Sequence, residues 1–163
     1  MNKTYSEKLK VLVRGFGQKL LNLDEASFNK KDNPEKWSKK EILGHLIDSA
    51  YNNHQRFTRA WDKDNLIFHG YDQDAWVKKN NYQERSAKEV VYLFLAVNSH
   101  MADLIAGLDE NLLTKMTTDH NFDKIGMRPI EKGSPSSLGY LIDDYIFHLQ
   151  HHLNQILDIP KCE

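Results

Sequence analysis

Hydrophobic residues recur at helical spacing in four long segments of the chain, and each segment follows a residue that can cap a helix. A Ser or Thr with Glu three residues later is the pattern of a capping box, in which each side chain binds the other residue's backbone amide. This pattern precedes the first three segments. In the fourth, Pro135 takes the first helical position, where its missing amide hydrogen costs nothing. The pattern predicts helices that begin near Thr4, Ser38, Ser86 and Ser134.

The lengths of the connections predict how these helices are arranged. Segments 63–85 and 109–133 are much longer than the roughly 2–8 residues that usually join helices in a bundle. A long link between the second and third helices can cross the bundle and leave those two helices parallel. We therefore expect one all-α domain over residues 1–163, a four-helix bundle with up-down-down-up topology and a long crossover between helices 2 and 3. Trp61 and Trp76 are expected to anchor its core.

Composition and charge narrow the range of partners. The net charge of −1 provides no basic field, so nucleic acid is not an expected partner. The first 20 residues contain no apolar run long enough for a signal peptide or a membrane span. The single cysteine, Cys162, cannot form an internal disulfide and is expected to be a free thiol without a role. These features predict a cytoplasmic protein that does not bind membranes.

Three histidines cluster near the end of the fourth predicted helix. His148 and His152 are four residues apart, so on a helix they point the same way and can each give one ring nitrogen to a shared metal ion. At about 100° per residue, both can face the bundle interior, whereas His151 lies outside the apolar stripe and is expected in solvent. A third ligand must therefore come from another helix.

The second predicted helix offers that third ligand. If helices 2 and 4 run antiparallel, His45 lies at the same height as His148 and His152. His54 fits this height less well, although its angle on the helix does not exclude it. The sequence therefore selects His45, His148 and His152 as a candidate metal site, and histidines that only pack are an equally good interpretation. The other histidines lie in expected loops or off the main apolar stripe: His69, His120 and His100.

A polar strip runs beside the apolar face of the second helix. Ser49, Asn53 and Arg56 fall between His45 and the hydrophobic stripe, which is typical of a pocket lining, although a polar helix flank is an equally good interpretation. Arg56 would suit an anionic part of a substrate.

Further polar residues flank the fourth helix. Gln155 and Asp144 lie on the outer side of His148, where they could hold its second ring nitrogen. Asp48 and Asp144 are candidates for a general base, with no further support for either.

Two segments of the chain resemble the DinB/YfiT-like family of metal-dependent enzymes, namely residues 37–50 (WSKKEILGHLIDSA) and 148–156 (HLQHHLNQI). Residues 70–76 (GYDQDAW) also resemble the loop of the YfiT-like branch. The resemblance spans nearly the whole chain. It implies a four-helix bundle of up-down-down-up topology and a divalent metal, nickel or zinc, held by three histidines. Carried over to this sequence, those ligands are His45, His148 and His152, with no departure from the family pattern.

Three functional hypotheses follow. The first is a metal-dependent enzyme that acts on a small molecule, by hydrolysis or by transfer of a low-molecular-weight thiol. Three protein nitrogens leave a coordination position open, where water or a thiol would be acidified. The second is a non-catalytic metal-binding or metal-stabilised bundle that serves as a binding module. The third is a bundle whose histidines only pack. A homodimer is compatible with each, although no helix face stands out as an interface.

Overall fold

The computed structural model describes residues 1–128 and 130–160. Within them, four long helices form the bundle and four short helices lie in the connections, so the predicted all-α four-helix bundle is confirmed. In the described residues the only β-bridges are two isolated ones. The helices are α1 (Asn2–Leu21), α2 (Glu25–Asn29), α3 (Lys39–Arg59), α4 (Gln73–Asn80), α5 (Ala87–Gly107), α6 (Glu110–Thr114), α7 (Phe122–Ile125) and α8 (Leu138–Ile156).

Helices α1 and α5 run antiparallel along one side of the bundle. The Asn2 side-chain amide donates to the Ala106 carbonyl oxygen at 3.1 Å. One turn later on α1, the Ser6 hydroxyl donates to the Ala102 carbonyl oxygen at 2.7 Å. Residue numbers thus rise on α1 as they fall on α5.

Helix α3 packs against α5 and α8 and carries the candidate site. It runs antiparallel to α8, because Ser49 lies opposite His148 whereas Phe57 lies opposite Tyr145. Its contacts with α5 advance together along both chains, from Lys40 beside Arg85 to His54 beside His100. These directions are the ones expected of an up-down-down-up bundle, and they put the start of α3 level with the end of α8.

The most apolar helix is α5, which contains an 18-residue window with a mean hydropathy of 1.4. By length and composition alone such a helix could cross a membrane. In this fold it packs against α1 and α3, and the core helix of a bundle has a similar composition. Its side chains Phe94 and Ile105 are fully buried, as are Leu46 on α3 and Leu149 on α8.

Of the four predicted helix starts, one is right in full detail. The capping box at Ser38 is confirmed, because the Glu41 amide donates to Ser38 Oγ at 3.1 Å and the Ser38 amide donates to Glu41 Oε2 at 2.8 Å. The box predicted at Thr4 is wrong, since α1 begins at Asn2 and its N-cap makes no side-chain hydrogen bond. At Ser86 the position is right, but the hydroxyl does not cap the helix.

The last helix begins later than predicted. It starts at Leu138, with Ser137 as the cap that accepts from the Tyr140 amide, and Ser134 and Pro135 precede it. The reason is a pair of backbone hydrogen bonds, 2.8 and 2.9 Å long, between Ser136 and Thr117. They hold the segment before Ser137 in an extended conformation.

Both tryptophans expected in the core are largely at the surface, so that prediction is wrong. Trp61 is 56% exposed at the short 3₁₀ turn that ends α3, and Trp76 is 37% exposed on α4. The Trp76 ring instead lies beside Tyr71, with ring centroids 4.9 Å apart. The expectation for Cys162 falls outside the described residues.

Candidate metal centre

The structure brings together the three histidines that the sequence selected. His45 projects from α3, and His148 and His152 project from α8. One potential ligand atom from each lies within 4.8 Å of the others. Nε2 of His45 is 3.0 Å from Nε2 of His148, and the three ring centroids are 4.7–5.2 Å apart. Among the histidine, cysteine and carboxylate side chains in the described part of the chain, these three histidines are the group arranged to hold a metal ion.

The separation of the nitrogens fits a shared ion. Two nitrogens bound at about 2.0–2.1 Å lie about 2.9 Å apart in octahedral geometry and about 3.3–3.4 Å apart in tetrahedral geometry. The 3.0 Å between His45 and His148 falls between these values. Imidazole nitrogens are suitable ligands for zinc and nickel. The residues therefore fit a divalent transition metal.

Hydrogen bonds at the far side of two rings leave Nε2 free for a metal. Nδ1 of His152 is 3.0 Å from Gln155 Oε1, which can only accept, so Nδ1 carries the hydrogen. Nδ1 of His148 is 3.4 Å from the Ser49 hydroxyl. Partners of this kind fix the tautomer and orientation of metal-binding histidines. Gln155 thus holds His152 rather than His148, contrary to the sequence-based expectation, and Ser49 takes the expected place beside His148.

Burial keeps these imidazoles neutral. It lowers the pKa of His45 to about 4, with a smaller contribution from His152, and it lowers the pKa of His148 to about 2. The pKa of His152 is also lowered, again mainly by burial. At neutral pH the rings therefore present lone pairs rather than charges, as metal ligands must.

His45 is the most enclosed of the three. It is 1% exposed, and its Nδ1 atom is buried without a hydrogen-bond partner among the described residues. The Trp37 ring lies over it, with centroids 5.0 Å apart. His151 is outside the cluster, half-buried, with its ring 5.1 Å from that of His152. The expectation that His151 is not a ligand therefore agrees with its position.

A cavity of about 270 Å³ lies beside the cluster. His148 and His152 form part of its wall, whereas His45 lies behind them. The remaining wall comes from α3, α8 and both long connections, with residues of 70–73 and 124–127 contributing. The connections thus complete a space that the helices leave open. The polar side chains of α3 in this wall are Ser49, Asn53 and Arg56.

These polar side chains form a continuous hydrogen-bonded chain from a clustered histidine to a connection. The Asn53 amide donates to the Ser49 hydroxyl at 3.3 Å, and Ser49 in turn contacts His148. Arg56 Nη1 donates to Asn53 Oδ1 at 3.3 Å, and Nη2 donates to the His69 carbonyl oxygen at 3.1 Å. The strip predicted from the sequence is therefore a cavity lining rather than a plain helix flank.

Arg56 is the buried cationic group of this wall, and it lacks a counter-ion; the wall also contains the exposed Lys124. It is 8% exposed, its Nε is buried without a hydrogen-bond partner, and no carboxylate in the described residues forms an ion pair with it. Burial lowers its pKa, yet arginine remains charged at any physiological pH. A buried, uncompensated guanidinium at a cavity wall is suited to bind an anion.

The two aspartates suggested as general bases are occupied with other groups. Asp144 accepts from the backbone amides of Met127 and Arg128, at 2.8 and 2.9 Å, and from Arg128 Nε at 3.1 Å. It thereby anchors the second connection at the cavity rather than holding His148.

Asp48 anchors the first connection in the same manner. Its Oδ1 accepts from Asn80 Nδ2 and from the Tyr82 hydroxyl, both at 2.7 Å. Burial raises the pKa of this carboxyl, against the effect of those two hydrogen bonds. Tyr82 was not identified from the sequence. In the structure it packs against Gly44, where a Cβ would overlap the Tyr82 ring. Nor was Tyr71 identified from the sequence as part of the cavity wall.

A four-helix bundle that gathers three neutral imidazoles beside a polar cavity defines a metal-binding, enzyme-like protein. The chain belongs to the DinB superfamily, whose family model matches residues 18–156.

Two known proteins resemble the chain. The first is the candidate metal-dependent hydrolase BH0277 of Halalkalibacterium halodurans, which is 23% identical over 136 residues, or 83% of this chain and 72% of that protein. The second is the structure of YfiT from Bacillus subtilis, described as a candidate metal-dependent hydrolase with an unusual four-helix bundle topology. It superposes with a TM-score of 0.75 at 14% identity, over 97% of this chain and 85% of YfiT. At that identity the likeness establishes the fold.

Proposed function

We propose that the protein is a metal-dependent enzyme that holds a divalent ion, nickel or zinc, through Nε2 of His45, His148 and His152. The observation that carries this proposal is the convergence of three neutral imidazoles beside a cavity that two of them line. The naming of both relatives as candidate metal-dependent hydrolases supports hydrolysis as the reaction. Transfer of a small thiol is the second reaction that the same site would support.

An ion with three protein ligands keeps at least one position for another molecule, as catalytic zinc sites do. When bound, it supplies a Lewis acid and lowers the pKa of a water or thiol that it binds. The rest of the catalysis falls to the chain's own residues. Ser49 and Gln155 orient two of the ligand rings, and the apolar surroundings of His45 exclude water from behind the site.

Arg56 is the proposed anchor of the substrate. The substrate would be a small molecule with an anionic group, such as a carboxylate or a phosphate, because an uncompensated guanidinium lines the cavity. Ser49 and Asn53 lie between Arg56 and His148 in the hydrogen-bonded chain. They would set the distance between the bound anion and the reacting group, which limits the cavity to compact substrates.

Metal content tests the proposal directly. Protein purified without a His tag should contain a tightly bound divalent ion, and X-ray absorption should show about three imidazole nitrogens around it. His45→Gln should lose that ion, whereas the matched control His151→Gln should keep it, because His151 lies outside the cluster. A His45→Gln protein that retained the same ion and the same nitrogen shell would refute the ligand assignment.

Hydrolysis of small esters tests the enzymatic part. Chromogenic esters with and without a carboxylate should be compared in the metal-loaded protein. Arg56→Met should raise KM for the anionic ester about tenfold or more and leave the neutral ester unchanged, since a lost charge-assisted hydrogen bond is worth about 1.5–3 kcal/mol. Tight metal binding without turnover of esters or of thiol conjugates would favour a non-catalytic binding module instead.

A further inference from the structure

A second pair of histidines faces solvent between two long helices. His54 on α3 and His100 on α5 approach with their Nε2 atoms 3.2 Å apart and their ring centroids 5.1 Å apart. His100 is exposed and His54 is half-buried. The sequence analysis set both aside, one for its height and one for its angle, because each was judged against the three-His cluster alone.

This pair is separate from the three-His cluster. His54 lies nine residues after His45 on the same helix, which places it about 13.5 Å further along the axis and about 180° around it. The two sets of histidines therefore occupy opposite faces of α3. No single ion can contact both.

The geometry of the pair matches that of two imidazoles on one ion. Nitrogens at about 2.0–2.1 Å from an ion lie about 2.9–3.4 Å apart between the octahedral and tetrahedral limits, and the observed 3.2 Å falls within this range. The ring separation of 5.1 Å also falls within the 4.7–5.2 Å range of the three-His cluster. The pair thus matches the cluster in its distances, whereas its ring planes lie at 27° to each other and those of the cluster at 80–89°.

The surroundings leave these nitrogens available. Neither ring forms an ion pair in the described residues. The nearest acidic residue along α5, Asp103, is paired with Lys10 at 3.0 Å. Because the rings come from two packed helices rather than from one loop, their separation is held by the bundle and little ordering is needed when an ion binds.

We propose that His54 and His100 form a second metal site, which takes a divalent transition ion of the zinc and nickel type. Two imidazole nitrogens supply the protein ligands and water fills the remaining positions. With one ligand fewer and an exposed His100, this site binds its ion more weakly and exchanges it faster than the three-His cluster. It also clamps α3 to α5, whereas the cluster clamps α3 to α8.

Zinc titration of the metal-free, untagged protein by calorimetry tests this site. The wild type should bind two equivalents of Zn²⁺, one tightly and one at least tenfold more weakly. The double variant His54→Gln/His100→Gln should lose the weaker equivalent and keep the tight one. Conversely, His45→Gln should lose the tight equivalent and keep the weaker one, so failure of this site and failure of the proposed function are distinguishable.

Two controls make the result interpretable. His151→Gln removes another accessible imidazole and should bind two equivalents like the wild type, which separates a built site from general surface affinity. Circular dichroism and the melting temperature of each metal-free variant establish that it is folded, and the exposed His100 and half-buried His54 favour this because neither side chain is part of the core. Equal stoichiometry in the wild type and the double variant would overturn the proposal and leave the pair as a ring-to-ring hydrogen bond.

Discussion

At the scale of single residues, burial without a carboxylate neighbour lowers the pKa values of the clustered histidines. A histidine paired with a carboxylate tends to gain a proton, whereas one surrounded by apolar groups and other imidazoles tends to lose it. Burial is the main cause of the low pKa values of His45 and His148, and the neighbouring histidines are the second cause. The cluster is therefore prepared for a cation by the absence of competing protons.

This protonation behaviour predicts how the metal-free protein responds to acid. The pKa of His45 is about 4 in the fold and ordinarily 6.5. Between these values the unfolded chain binds a proton that the fold rejects, so the free energy of unfolding should fall as the pH drops from about 6.5 to about 4. Urea denaturation at intervals of half a pH unit measures the slope.

The matched variant identifies the source of that slope. His45→Gln cannot titrate, so its stability should depend less steeply on pH over the same window, by about 1–3 kcal/mol across it. Wild-type and variant curves that ran parallel from pH 7 to pH 4 would show that another group is responsible.

The three-His cluster could be predicted from the sequence, but the residues that support it could not. Angle and height on a helix are properties of the backbone period, so His45, His148 and His152 were identifiable in advance. Which histidine Gln155 supports depends on side-chain rotamers. The true partners of Asp144 depend on where a distant connection comes to rest, and no local pattern contains that information.

At the scale of elements, a buried lysine joins α2, α3 and the start of α5. Lys40 is 1% exposed, and its Nζ donates to Glu25 Oε1 at 2.6 Å and to the carbonyl oxygens of Gln83 and Arg85, at 3.1 and 2.6 Å. Glu25 in turn accepts from the Ala87 amide at 2.9 Å. A side chain of α2 thereby caps α5 at the position where a serine was expected to do so.

Replacing this lysine should destabilise the fold. Lys40→Met leaves two part-buried carbonyl oxygens and Glu25 without their donor, so the free energy of unfolding should fall by about 2–4 kcal/mol. The neighbouring Lys39 pairs only with the exposed Asp158, so Lys39→Met should change it by less than about 1 kcal/mol. Chemical denaturation of both variants measures the difference, and an equal effect would contradict the assigned role of Lys40.

Two helical glycines give a second matched comparison. A Cβ on Gly44 would overlap the Tyr82 ring, whereas nothing lies within 4 Å of a Cβ on Gly15. Gly44→Ala should therefore cost about 1–3 kcal/mol through overpacking, and Gly15→Ala should stabilise α1 by about 0.5–1 kcal/mol. Thermal melting of the two variants should show shifts of opposite sign. Stabilisation by both would mean that Tyr82 moves aside freely.

Element prediction succeeded where the signal was local. Hydrophobic periodicity identified the four long helices, because each buries a stripe of its own sequence. The start of α8 was placed too early because Ser136 is held by Thr117, which lies earlier in the same long connection. The exposed Trp61 shows a further limit. Hydrophobic periodicity does not predict the direction that the chain takes after a helix ends, and that direction decides whether a side chain there is buried.

At the scale of the whole molecule, the three-His cluster bridges helices that are far apart in sequence. His45 belongs to α3 and the other two histidines to α8, so an ion would tie the second long helix to the fourth. Any ligand that binds only the folded state stabilises it. Metal binding should therefore act on the stability of the entire bundle.

Chelation measures this coupling. At an ion concentration of about 100 times Kd, stabilisation is about 2.7 kcal/mol. For a chain of this size it corresponds to a rise in Tm of about 5–10 °C, which a strong chelator should abolish. His45→Gln should lose most of the shift. A wild-type Tm that did not respond to chelator or to added zinc would contradict metal binding by the folded protein.

The loop lengths predicted an up-down-down-up order of the helices, because a connection must be long enough to cross the bundle. The residues that form the walls of the cavity could not be predicted from loop lengths. The walls depend on residues near 71 and 126 being held at the same place, by the hydrogen bond from Arg56 to the His69 carbonyl oxygen and by those from the Met127 and Arg128 amides to Asp144.

The histidines and the residues that close the cavity lie on different parts of the chain, and this separation has a consequence for evolution. The histidines sit on α3 and α8, while residues of 70–73 and 124–127 close the cavity from two separate connections. Mutation of those connections can reshape the cavity without moving the three histidines. We therefore expect that relatives which keep these histidines can differ in the shape of the cavity, and that exchanging the two stretches of connection would transfer that shape.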